Sequence, residues 1–153
     1  MKARKYIERI EKDGMLKVRA EFQIFYSQLE TKCSEIYGKG DYLDWISRNY
    51  SFYELIKNSI TEIIELDYIR NNSQGFKVNF TVKNATDYLR NNKGGYNFIN
   101  KENAVLVLIK QIRNNFTHID GKSELKEEQY KRNNILLINS LDIIKVILTK
   151  LEK

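Results

Sequence analysis

The chain has 153 residues with no proline, one cysteine, one histidine and one tryptophan. Each shortage closes off a class of protein. A lone Cys33 excludes an internal disulfide and fits a reducing compartment. One histidine and one cysteine cannot build a zinc site, and no His/carboxylate cluster with ligand spacing occurs, so no metal is expected. Neither a glycine-rich phosphate loop nor a serine-centred elbow is present, so no cofactor is expected. The longest uninterrupted apolar run, "AVLVLI" at 104–109, is too short to cross a bilayer. The opening "MKARKYIERIEKD" is basic but lacks the apolar stretch of a signal peptide. A cytoplasmic protein without membrane association is therefore expected.

With 42% hydrophobic and 30% charged residues, the composition is neither disordered nor membranous. Its length suits a single domain over 1–153 with a core of its own. The net charge of +6 is concentrated rather than spread. Between Arg70 and Lys122, nine basic residues face three acids, Asp87, Glu102 and Asp120, so this segment carries +6 and the rest sums to zero. Phe76, Phe80, Tyr88, Tyr96, Phe98 and Phe116 are interleaved with those charges. Cations with aromatic faces suit a polyanion, because phosphate neutralisation gives affinity and rings stack on bases. The competing reading is solvated charges over core rings. Lys110, Lys122, Arg90 and Lys93 are the candidate RNA-backbone contacts.

Apolar spacing predicts helices nearly throughout. Met15, Val18, Phe22, Phe25, Leu29, Cys33 and Ile36 fall at steps of three and four, one face of a long helix. A shorter piece with Tyr6, Ile7 and Ile10 precedes it, with a break or kink expected at Asp13–Gly14. A short apolar cluster follows at Tyr42, Leu43, Trp45 and Ile46. Ser51 and Glu54 then form the pattern of a capping box. The helix they would start carries Leu55, Ile56, Ile60, Ile63 and Ile64 and is expected to run to about Arg70. Phe76, Val78, Phe80 and Val82 alternate with polar residues, which predicts a short extended insertion around 76–82. A short helix is expected after it. The next one, starting near Asn100, buries Val105, Leu108, Ile109, Ile112, Phe116 and Ile119. A long last helix from about Glu124 to Leu151 has an apolar face wide enough for the centre of a bundle or a partner interface. The fold class is all-α, an up-and-down bundle of four or more helices.

"RNN" occurs four times, at Arg70, Arg90, Arg113 and Arg132, and the flanks do not match, which rules out a repeat. Only Arg113 is followed, five residues on, by the single histidine, His118. On a helix Asn114 and His118 share a face, roughly 40° apart, while Arg113 lies roughly 140° from His118 and about 7.5 Å along the axis. A long arginine can swing toward the histidine, and Asn114 can fix the imidazole tautomer. An anion clamp with a near-neutral acid/base suits metal-independent cleavage of RNA, which carries its own nucleophile in the 2′-hydroxyl. His118 would act as base or acid, and Arg113 would supply charge for the transition state. One histidine is short of a two-proton task, and a symmetric homodimer would supply the second.

"RNNFTH" resembles the Arg-Asn-x-x-x-His signature of the HEPN superfamily. Arg113 matches its arginine, Asn114 the favoured polar residue after it, and His118 its histidine. The order of elements is similar as well: a motif late in the penultimate helix, a turn at "DGKS", then a long terminal helix. The resemblance implies a helical bundle, a dimer with two motifs meeting at the interface, and a metal-independent endoribonuclease used as a toxin or in anti-phage defence. It also implies an antitoxin or operon partner protein. Family toxins silenced by adenylylation resemble Arg-x4-His-x-Tyr; the tyrosine position here is Asp120, which puts that modification in doubt.

Against this stands a non-catalytic helical module that binds nucleic acid, a nucleotide or a partner protein. In that reading His118 is a histidine favoured by the helix C-terminal dipole, and Arg113 pairs with Asp120 or an acid of the following helix.

Overall fold

The computed structural model describes residues 2–38, 42–66, 80–91, 98–117 and 127–152, with side chains described for 17–38, 42–66, 82–91, 98–114 and 134–152. Among the described residues there are six helices and no strand. They are α1 (Lys2–Tyr37), α2 (Tyr42–Asn49), α3 (Tyr53–Ile64), α4 (Phe80–Asn91), α5 (Lys101–Thr117) and α6 (Glu127–Glu152). Together they form an all-α bundle. No described helix is long and apolar enough to cross a membrane.

The long helices pair first. α1 packs mainly against α6, and α6 also packs against α3. The expected break at Asp13–Gly14 does not occur, and α1 continues for 36 residues, about 54 Å at the helical rise. An interior glycine costs only about 1 kcal/mol, which helix cooperativity over such a length outweighs. The buried stripe of α1 is Phe22, Tyr26, Leu29 and Cys33. Its last turn leaves Ile36 and Tyr37 exposed, although the Tyr37 ring stacks on Trp45 of α2 at 5.2 Å. Gly38 ends the helix with φ +89°, and its N–H donates to the Ser34 carbonyl at 2.9 Å.

α5 is the central helix. α2, α3 and α4 all pack on it, and Ala104, Val105, Leu106, Leu108, Ile109 and Ile112 are buried. That surrounds the helix with apolar neighbours and explains why its sequence holds the longest apolar run. Phe116 and Ile119, expected on the same face, lie outside the residues whose side chains are described.

Further expectations are corrected. Residues 80–82 of the predicted extended insertion are helical, and 76–79 lie outside the described residues. Val82, Ala85, Thr86 and Leu89 bury one helical face against α5, and that packing overrides the local alternation. The capping box at Ser51 and Glu54 is also absent. The N-cap of α3 is Phe52, with φ −138° and no side-chain cap of its own. Glu102 of α5 performs the capping instead, its Oε2 accepting the N–H of Phe52 at 3.3 Å and of Tyr53 at 2.9 Å. α3 then stops at Ile64, short of Arg70, and Leu55 is 63% exposed because the buried stripe is Ile56, Ile60, Ile63 and Ile64.

The start of α5 is held by the same kind of bonding. Asn100 caps it, its Oδ1 accepting the Asn103 N–H at 2.9 Å, while its Nδ2 donates to the Ser47 carbonyl of α2 at 2.8 Å. Buried Asn103 donates to Ser47 Oγ at 3.2 Å and to Asp44 Oδ1 at 3.4 Å, and accepts the Ile99 N–H at 3.3 Å.

If Glu102 rather than Ser51 caps α3, Glu102→Ala lowers unfolding stability by about 1.5–3 kcal/mol, the range for bonds to a charged acceptor. Ser51→Ala stays within about 0.5 kcal/mol of the parent. Urea denaturation midpoints with equal m-values check both.

Candidate functional site

Ile109 and Ile112 anchor the last turns of α5 in the core, and this places Arg113 at the edge of that core against α1. On α1, Tyr26 and Glu30 are four residues apart and so share a face. The Arg113 guanidinium lies over the Tyr26 ring, 4.8 Å from its centroid, and its Nη2 donates to Glu30 Oε2 at 3.5 Å. The Arg113 side chain keeps 27% of its surface exposed and that of Glu30 keeps 42%. The ion pair and the ring contact differ in strength. An exposed, long ion pair contributes about 0–1 kcal/mol, whereas a cation over a desolvated ring gains up to about 2 kcal/mol. The ring is the firmer of the two.

Tyr26 is itself fixed. It is 3% exposed, and its hydroxyl shares a hydrogen bond with Tyr42 at the start of α2. Burial pushes the Tyr26 phenol above its ordinary value, although the bond to Tyr42 and the nearby Arg113 charge pull it back down. Burial, with Tyr26 beside it, raises Tyr42 as well. Cys33, fully buried two turns beyond Tyr26, is pushed up to about 12 by burial and by the Glu30 carboxylate. All three side chains are therefore neutral at physiological pH, and Arg113 and Glu30 are the charged members of the cluster.

The residues predicted for the site fare differently. Arg113 is placed as described, with Glu30 of the first helix as an acid partner; Asp120 lies outside the described residues. Asn114 follows it in helical conformation, partly exposed, with Lys110 exposed one turn earlier on α5. Arg90 is exposed on α4, yet its Nη2 donates to the Ile64 carbonyl at 2.7 Å and so caps the end of α3. His118, Lys93 and Lys122 lie outside the described residues. Sequence reasoning missed Tyr26, Glu30 and Tyr42. The signal for Tyr26 was available, since Phe22, Tyr26, Leu29 and Cys33 continue the steps of four and three that define the face.

Among the described residues no group of three or more His, Cys, Asp or Glu side chains is arranged to hold a metal ion. No family model matches the chain, and neither a curated protein nor a solved structure matches it.

The raised thiol of Cys33 gives a direct test. In the native protein it stays unreactive toward a disulfide reagent at neutral pH and reacts within the dead time once denaturant is added. The sign for stability follows. The contribution of Cys33 is complete below the unfolded thiol value near ~8.5 and is lost as pH rises toward about 12. Denaturation midpoints measured from neutral to strongly alkaline pH decline through that window.

Proposed function

We propose that this chain is a metal-independent endoribonuclease of the HEPN type that acts as a growth-arresting toxin or anti-phage defence effector in the cytoplasm. The observation that carries the reading is the motif "RNNFTH", whose residues 113–117 end the central helix α5, with Arg113 held at the edge of the core where a phosphate can reach it. The +6 charge confined to residues 70–122 supports it, as does the order of motif helix followed by long terminal helix.

In the proposed reaction the 2′-oxygen attacks the adjacent phosphorus, a new P–O2′ bond forms and the P–O5′ bond breaks. The products are a 2′,3′-cyclic phosphate and a free 5′-hydroxyl. One proton leaves the 2′-hydroxyl for a base, and another is given to the departing 5′-oxygen by an acid. His118 takes one of these roles and the His118 of a second copy the other, so the active form is a homodimer with the motifs at its interface. Arg113 offers its fork of N–H donors to the non-bridging oxygens, where charge accumulates in the transition state. Asn114 orients the imidazole. Lys110, Lys122, Arg90 and Lys93 are the proposed contacts to the RNA backbone, and an antitoxin or operon partner protein restrains the activity.

One observation favours a second reading, a non-catalytic module that binds nucleic acid, a nucleotide or a partner protein. Arg113 is already engaged within its own chain by Tyr26 and Glu30, as a purely structural arginine would be.

The test is cleavage of total cellular RNA in the presence of EDTA. The parent protein is expected to give discrete fragments ending in 2′,3′-cyclic phosphate. His118→Ala and Arg113→Ala are each expected to lose about 100-fold or more of the rate. Equal cleavage by all three proteins would refute the assignment. Absence of cleavage by folded dimeric protein would leave the binding module.

A further inference from the structure

We infer that Tyr26 and Glu30 of α1 form a seat that aims Arg113 at a nucleic-acid phosphate, Tyr26 as the fixed platform and Glu30 as an occupant that the phosphate displaces. The inference rests on the reading of Arg113 as the phosphate-binding group. Both are positioning residues, since they act through the arginine.

The asymmetry between the tyrosine, which meets Arg113 through both its ring and its hydroxyl, and the carboxylate carries the argument. The Tyr26 ring is buried, tied through its hydroxyl to Tyr42, and lies beneath the guanidinium at 4.8 Å. It is part of the core. Glu30, in contrast, is 42% exposed and meets Nη2 at 3.5 Å, the long end of an ion pair. With its guanidinium over the Tyr26 ring, Arg113 directs Nη2 to the side where Glu30 sits. An oxyanion arriving on that side finds the arginine already oriented and a carboxylate held weakly enough to be exchanged. Phosphate competes well because its tetrahedral oxygens accept a bidentate pair from the fork. In the free protein Glu30 masks the charge that the substrate needs, so the acid tempers affinity while the ring preserves geometry.

The binding probe is a short 2′-O-methyl RNA, which keeps every phosphate and removes the nucleophile, titrated by fluorescence anisotropy. Glu30→Gln is expected to bind it up to about fivefold more tightly, the size of the surface ion pair released. Glu35→Gln, an exposed acid of the same helix, makes the same charge change and is expected to gain less. The Glu30→Gln gain is expected to vanish when Arg113→Ala is added, the non-additivity of a shared contact. Tyr26→Leu is expected to weaken binding by about fivefold to tenfold, and Tyr26→Phe, which retains the ring and loses only the hydroxyl's bond to Arg113, to recover most of it.

A Glu30→Gln affinity no better than that of Glu35→Gln overturns the seat, as does a gain that survives Arg113→Ala. Tyr26→Phe as weak as Tyr26→Leu overturns the platform. Parent protein that does not bind the probe overturns both. If the binding pattern holds and ordinary RNA is still not cut, the ribonuclease reading fails while the seat stands.

Discussion

The position of the central helix depends on a polar knot at its N-terminus. The α5 segment supplies three side chains there, Asn100, Glu102 and Asn103, and each closes a bond to another element. Glu102 satisfies the first free N–H groups of α3, and the two asparagines hold α2 through Ser47 and Asp44. Apolar packing alone would let α5 slide or rotate, because its buried surface is apolar nearly all round. Hydrogen bonds do not allow that. A one-residue shift would leave a buried amide without partners, which costs far more than a slightly worse hydrophobic contact.

That fixed end sets the other. Arg113 stands eleven residues beyond Glu102, roughly 16 Å along the helix. Its height against α1 is therefore decided by bonds made at the opposite end of α5, and its rotation by Ile109 and Ile112 in the core. Tyr26 and Glu30 meet it from a helix whose own register is set by packing on α6. The candidate site thus sits where two separately located helices converge, and the Arg113 guanidinium bridges them.

Much of the architecture was legible in the residues. The steps of three and four in α1, α5 and α6 specify helices whose described buried faces match most of the residues expected, with Ile36, Ile135 and Ile138 exposed instead, because long periodic stretches average out local exceptions. Short segments misled where tertiary partners decide. Phe80 and Val82 fit an alternating pattern, yet Val82 belongs equally to the stripe it makes with Ala85 and Leu89, and only the presence of α5 selects between the two. Ser51 and Glu54 have the spacing of a capping box, but Phe52 is drawn into the core and the cap comes from Glu102, fifty residues away. The site was legible in part. "RNNFTH" points to Arg113, while its partners Tyr26 and Glu30 are 83 residues away from it at the nearer contact, a relation that no local pattern encodes.

The sequence separations within the polar knot bear on how the chain reaches its fold. Its contacts join residues 49 to 59 positions apart. Individual helices can form from neighbouring contacts, but the knot closes only after long loops have been brought together, with their entropy already spent. Until then Asn103 and Glu102 are better off in water than in any partly collapsed interior. Compact states with α5 in the wrong register would have to bury those groups unsatisfied and are rejected for that reason. The knot therefore acts as a proofreading step, tolerating one arrangement of three helices and penalising its near neighbours.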